Sequence, residues 1–162
     1  MHKSKEILII GIGNIGRSDD ALAWHFLDQI ESLYPNQYTI EYRYQLQIED
    51  AHLIANYRQV IFVDAYMLHH NAGYKWQKIK PKNTGTYTSH ELLPEKVLFL
   101  CQEIYRKSPE THLLAISGKN FGLSCTMTNY AQDNLQKALS FFVDTITSDT
   151  KKTDIILNNQ DH

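Results

Sequence analysis

The sequence predicts a three-layer α/β/α sandwich, with helices on both faces of a twisted, mostly parallel five-stranded sheet that carries one antiparallel strand. Three observations predict it. The apolar runs Ile7–Ile10 and Val60–Val63 are unbroken rather than alternating, the pattern of strands buried on both faces beneath helices. Strand-like and helix-like segments follow one another in the order β-α-β-α-β-β-α-β-α, which calls for right-handed crossovers onto a shared sheet. A chain of 162 residues holds one full core, and nothing in it argues for two.

Each element has its own justification. Ile7-Leu-Ile-Ile10, closed by Gly11, is too short for a helix and reads as the first strand. Leu22, Phe26, Ile30 and Leu33 fall on one helical face, joined by Ala23, Leu27 and Tyr34, and Pro35–Asn36 stops that helix. Tyr38–Tyr44 alternates and is rich in strand formers, so it is a strand away from the centre. Ile48–Tyr57 holds a short helix with Glu49 and Asp50 in its first turn, and Gln59–Asp64 repeats the first strand's design before ending in an acid. The alternation of Tyr74–Ile79 suits a half-exposed edge strand, and Lys80–Ser89 is a polar loop. Pro94 is tolerated in a first helical turn but not in a helix interior. The next helix therefore starts near Leu92–Pro94, with Val97, Leu98, Cys101, Ile104 and Tyr105 as its apolar face. His112–Ile116 is a buried strand, Gly118–Cys125 a loop, and Met127, Ala131, Leu135, Ala138, Leu139 and Phe142 define the last helix. A single domain over residues 1–146 is expected, followed by a flexible, mainly polar C-terminal tail over 147–162.

Composition narrows the classes. A net charge of −2 and a pI near 6.4 give no electrostatic footprint for nucleic acid. No apolar run approaches the roughly 20 residues of a membrane span. Met-His-Lys-Ser-Lys-Glu leads straight into the first strand, without an apolar signal segment. Cys101 and Cys125 form neither a metal-type spacing nor a disulfide framework. A cytoplasmic, monomeric domain without nucleic-acid or membrane partners is expected.

The chemistry concentrates after the first strand. Gly11-x-Gly13-x-x-Gly16 matches the dinucleotide fingerprint, in which bare N–H groups at a helix start hold a pyrophosphate. Here Arg17 and Ser18 lengthen the loop, and Asp19 and Asp20 enter the first helical turn. Those carboxylates suit the helix dipole but repel an anion. A pair of acids at a helix start is also a routine cap. A second acid resolves part of the choice. If the first and third strands are neighbours, the sheet reverses its winding between them, and ligands bind at that crevice. Asp20 follows one strand and Asp64 ends the other, so both overlook it. His90, on the approach to a helix, supplies a candidate imidazole. Two carboxylates and an imidazole suit nickel, zinc or manganese. Taken singly, Asp64 also reads as a turn cap and His90 as an exposed loop residue. Nucleophilic catalysis has little support, because Ser124 and Cys125 lack the Gly-x-Ser-x-Gly elbow. No His-Glu-x-x-His zinc protease motif is present.

Together Gly11-Ile-Gly13-Asn14, Asp19–Asp20, Val60-Ile-Phe-Val-Asp64-Ala65 and Thr88-Ser89-His90 resemble the nickel–iron hydrogenase maturation proteases. The resemblance runs from about Ile7 to Phe142. Gln45-Leu46 with Glu49, and Leu113–Gly118 followed by Phe121–Ser124, are most similar to the branch serving bidirectional-type cytoplasmic hydrogenases. It implies an endopeptidase that removes the C-terminal extension of the hydrogenase large-subunit precursor after nickel insertion. It also implies that Asp20, Asp64 and His90 bind the metal, that nickel arrives with the substrate, and that none is permanently held. Ala21 and Ala23 stand where the family usually carries glycine, and their methyls would narrow the approach of a substrate tail. The rivals are a non-catalytic paralogue that binds the large subunit, a peptidyl-tRNA hydrolase, whose opening also runs Gly-x-Gly-Asn-x-Gly, and a nucleotide-binding oxidoreductase.

Overall fold

Among the described residues five strands and four helices build the fold, and the chain alternates between them as the apolar patterning demands. The computed structural model describes residues 6–84 and 91–158, with side chains through Ile146. The order is β1 (Ile7–Ile12), a 3-10 turn over Ser18–Ala21, α1 (Leu22–Leu33), β2 (Thr39–Arg43), α2 (Asp50–Ile54), β3 (Gln59–Tyr66), β4 (Tyr74–Lys78), α3 (Pro94–Tyr105), β5 (Glu110–Ser117) and α4 (Asn129–Asn158). The sheet runs β2-β1-β3-β5-β4. β2, β1, β3 and β5 are parallel, and β4 closes one edge antiparallel to β5.

Period-two alternation splits each central strand between two cores. Ile9, Ile61, Val63, Leu114 and Ile116 point to the side covered by α1 and α4, where Phe26 meets Phe142 edge-on at 5.5 Å. Leu8, Ile10, Val60, Phe62 and Leu113 point to the other side, against α2 and α3. That division explains the unbroken runs, since every residue of such a strand lies under a helix. Gly11 permits α1 to lie close: a Cβ there would fall 2.5 Å from Leu27 Cδ1. The winding reverses between β1 and β3, which pair directly, Ile12 standing opposite Asp64.

Element ends follow local chemistry. Pro94 opens α3 behind an extended Leu93. The Thr128 hydroxyl accepts the Ala131 N–H at 3.1 Å, capping α4. Three assignments to buried faces are corrected: Leu33, Ile104 and Tyr105 are exposed. All sit in the last turn of α1 or α3. The apolar face expected to close at Phe142 belongs to a helix that continues to Asn158. Residues 143–158 contain no glycine or proline to stop it, and once nucleated a helix gains a hydrogen bond with each added residue.

Candidate functional site

The loop after β1 folds back on itself and leaves two acids in different environments. The Gly13 N–H donates to Arg43 O at 2.9 Å, tying the loop to the end of β2. A Cβ on Gly13 would meet Asp20 O at 2.0 Å, so only glycine lets the strand end and the 3-10 turn come this close. The Asn14 side chain accepts the Gly16 N–H at 2.9 Å. Ser18 then takes a left-handed φ of 53°, an uncommon conformation for a residue with a side chain. It is held there because its N–H donates to Ser124 O at 2.7 Å and its Oγ to Thr126 O at 2.9 Å.

Asp19 is buried and structural. Its Oδ2 accepts the N–H groups of Lys119 (2.9 Å) and Asn120 (3.1 Å) and the Thr128 hydroxyl (2.8 Å), while Oδ1 accepts the Thr128 N–H (2.8 Å). Burial alone would raise its pKa. The hydrogen bonds from Lys119, Thr128 and Asn120 oppose that and hold it below the usual carboxylate range. The carboxylate staples the first loop to the loop between β5 and α4.

Asp20 does the opposite. Half-buried, it is raised above its ordinary pKa, chiefly by burial, with Glu91 adding repulsion; the Asn14 N–H and Arg17 pull the other way. Asp64, next to it across the β1–β3 seam, is raised to about 7. Burial is the main cause, the charges of Asp20 and Glu91 add to it, and a 2.8 Å bond from the Ala65 N–H opposes it. That last bond comes from the next residue of β3, which continues to Tyr66, so Asp64 lies inside the strand and caps no turn. Tyr66, pushed up to about 12 by burial and by Asp64, Glu95 and Glu91, borders the same acidic crevice. The structure thus brings Asp20 and Asp64 within each other's field. His90, with Thr88 and Ser89, lies outside the described residues. Among the described residues no three His, Cys, Asp or Glu side chains converge closely enough to hold an ion.

Glu91 and Tyr66 are the residues that sequence reasoning missed. Glu91 carried a signal, being the residue after His90, and Tyr66 lies just beyond the acid that ends the third strand's apolar run. Asp19, which the sequence offered only as part of an acidic pair at a helix start, is taken up by the β5–α4 loop.

Several expectations are settled by hydrogen bonding and burial. The N–H groups of Gly13, Asn14, Gly16, Arg17, Ser18, Asp19 and Asp20 all donate within the protein. No cradle of bare amides is left for a pyrophosphate, and the dinucleotide reading fails. Ala21 and Ala23 are buried, so their methyls pack inside the domain and do not narrow a substrate's approach. Cys101 is buried, and desolvation raises its thiol pKa despite Lys107, as suits a packed rather than a nucleophilic cysteine. His69 and His112 stack on Tyr130 and Trp76, and His52 meets Tyr105 edge-on.

Fold and site together define an α/β protein with an acidic crevice at the point where its sheet reverses winding. Solved structures of the same fold include hydrogenase maturation endopeptidases. The chain is similar to the hydrogenase maturating endopeptidase HybD from E. coli (TM-score 0.71, 18% identity, covering 89% of this chain and 93% of that one). It is also similar to the [NiFe] hydrogenase maturation protease HycI from Thermococcus kodakarensis KOD1 (0.65, 20%, 86% and 91%). A third is the hydrogenase 2 maturation peptidase from Thaumarchaeota archaeon SCGC_AB-539-E09 (0.64, 17%, 88% and 98%). No family model matches the sequence, and no curated protein sequence matches it. At these identities the likeness is one of fold.

Proposed function

We propose that this protein is an endopeptidase that removes the C-terminal extension from a nickel–iron hydrogenase large-subunit precursor after nickel insertion. In this reading it acts as a cytoplasmic monomer in the branch serving bidirectional-type hydrogenases. Asp20, Asp64 and His90 hold the precursor's own nickel, and the Gly11–Ser18 loop shapes the crevice. The observation that carries the reading is the pair Asp20–Asp64, one carboxylate in the turn after β1 and one near the end of the adjacent β3, where the charge of Asp20 acts on Asp64, in a fold shared with maturation endopeptidases. Like charges desolvated together favour a cation that neutralises both. Glu91 supports including His90, because the residue next to it in sequence acts on both acids. A cation-guided cut needs little else from the chain: carboxylates that fix the metal and, through it, the scissile bond.

The test is incubation with nickel-loaded precursor, followed by mass measurement. The protein should release the extension. Asp64→Asn and His90→Ala, checked for folding, should slow release by at least about 100-fold, the scale of a misplaced reacting group. Processing that survives both substitutions overturns the reading. Binding without release identifies the non-catalytic paralogue instead.

A further inference from the structure

Beside the crevice stands an aromatic surface that the cleavage reading does not use. Trp24 lies against Tyr44, ring centroids 5.0 Å apart and planes tilted by 36°, and meets Tyr42 edge-on at 5.4 Å. Tyr44 is 67% exposed, and Ile15 and Ile48 are exposed on adjoining loops. Arg43 O accepts the Trp24 indole N–H at 3.1 Å and the Gly13 N–H at 2.9 Å, so one carbonyl joins this cluster to the crevice loop. Acids surround it. Asp28 accepts the Tyr42 hydroxyl at 2.6 Å. Burial, Asp28 and then Glu31 hold that phenol above its usual range, so it stays a neutral donor. The patch's own cation, Arg43, is engaged by Glu41 (3.0 Å) and Asp50 (3.1 Å).

Exposed aromatic faces ringed by carboxylates select cations, and guanidinium most readily, because it is weakly hydrated and stacks. We propose that the Trp24–Tyr42–Tyr44 surface docks an arginine- or lysine-bearing segment of the protein substrate, alongside the crevice. The identity of that substrate rests on the function proposed above, whereas the cation preference does not. A second copy of the chain fits poorly, since a two-fold contact would set this acidic surface against itself. Nucleic acid and anionic lipid are repelled for the same reason.

The chain has two tryptophans, so Trp76→Phe leaves Trp24 as the sole indole reporter. Titration with a short arginine-containing peptide should change its emission saturably. The counterpart with citrulline at every arginine should bind about tenfold more weakly. Tyr44→Ala should weaken the arginine peptide about fivefold. If Trp76→Phe does not fold, the Trp24 indole N–H resonance of the unsubstituted protein reports the same titration. Asp64→Asn should bind the peptide normally; precursor left uncleaved by the unsubstituted protein, with this binding intact, refutes the function and not this surface. Equal affinity for the two peptides, no binding, or no effect of Tyr44→Ala overturns the proposal. So does self-association that Tyr44→Ala abolishes, which would assign the surface to a second copy.

Discussion

The protonation midpoint of Asp64, about 7, follows from a side chain that water barely reaches and that faces Asp20 and Glu91. Its folded-state value lies above the unfolded value of 3.8, so the folded protein binds this proton more tightly. The stabilising contribution is complete below about pH 3.8 and is lost as pH rises through about 7. Asp64→Asn cannot ionise and removes that loss. Melting curves at about pH 5 and about pH 8 should therefore show a smaller drop for Asp64→Asn than for the unsubstituted protein. The difference should be at least about 2 °C, roughly 1 kcal/mol in a domain of this length. An equal drop in both proteins would mean that Asp64 is already ionised at pH 5. At this scale the neighbourhood of Asp20 and Asp64 was legible from their places after two apolar runs on strands that pair directly. Glu91 and the separate task of Asp19 were not, because both depend on partners that no local pattern specifies.

Between elements, Asp19 accepts four hydrogen bonds, all from the stretch 119–128. Asparagine has nearly the same shape but would turn an amide donor toward those donors. Asp19→Asn should cost about 3 kcal/mol, the scale for a buried charged acceptor left mismatched. Its urea midpoint should fall accordingly, and precursor processing should fall with it as the crevice loop loosens. A midpoint unchanged within error would show that the two loops hold together without the staple. The elements themselves were legible because their signals are local: Pro94 opens α3, Pro35 follows α1, and unbroken runs mark β1 and β3. Legibility failed where local signals are silent. Leu33, Ile104 and Tyr105 keep the helical period yet are exposed in the last turns of α1 and α3, and α4 meets no breaker before Asn158.

At the scale of the molecule, two cores on either side of one sheet carry the fold. Phe26, Phe62, Phe142 and the central aliphatic residues are fully buried. Structural metal sites contribute folding energy outright, and this architecture has no need of one. A chelator should leave the melting temperature unchanged to within about 1 °C, a negligible free energy for this size. A large drop would make the ion structural and would undo the assignment of Asp20, Asp64 and His90 to a substrate-borne metal. The strand order was legible only conditionally, since the crevice depends on β1 and β3 being neighbours; their direct pairing meets that condition.

The Asp19 staple also orders events during synthesis. Its donors lie 100 to 109 residues further along the chain. A nascent chain that has emerged through β3 already holds Asp20 and Asp64, and it can pair β1 with β3. It cannot yet fasten the loop between Gly13 and Ala21, because Lys119, Asn120 and Thr128 have not been made. The two acids are therefore translated early and set in place late, and no ribosome-bound intermediate short of Thr128 carries a finished crevice.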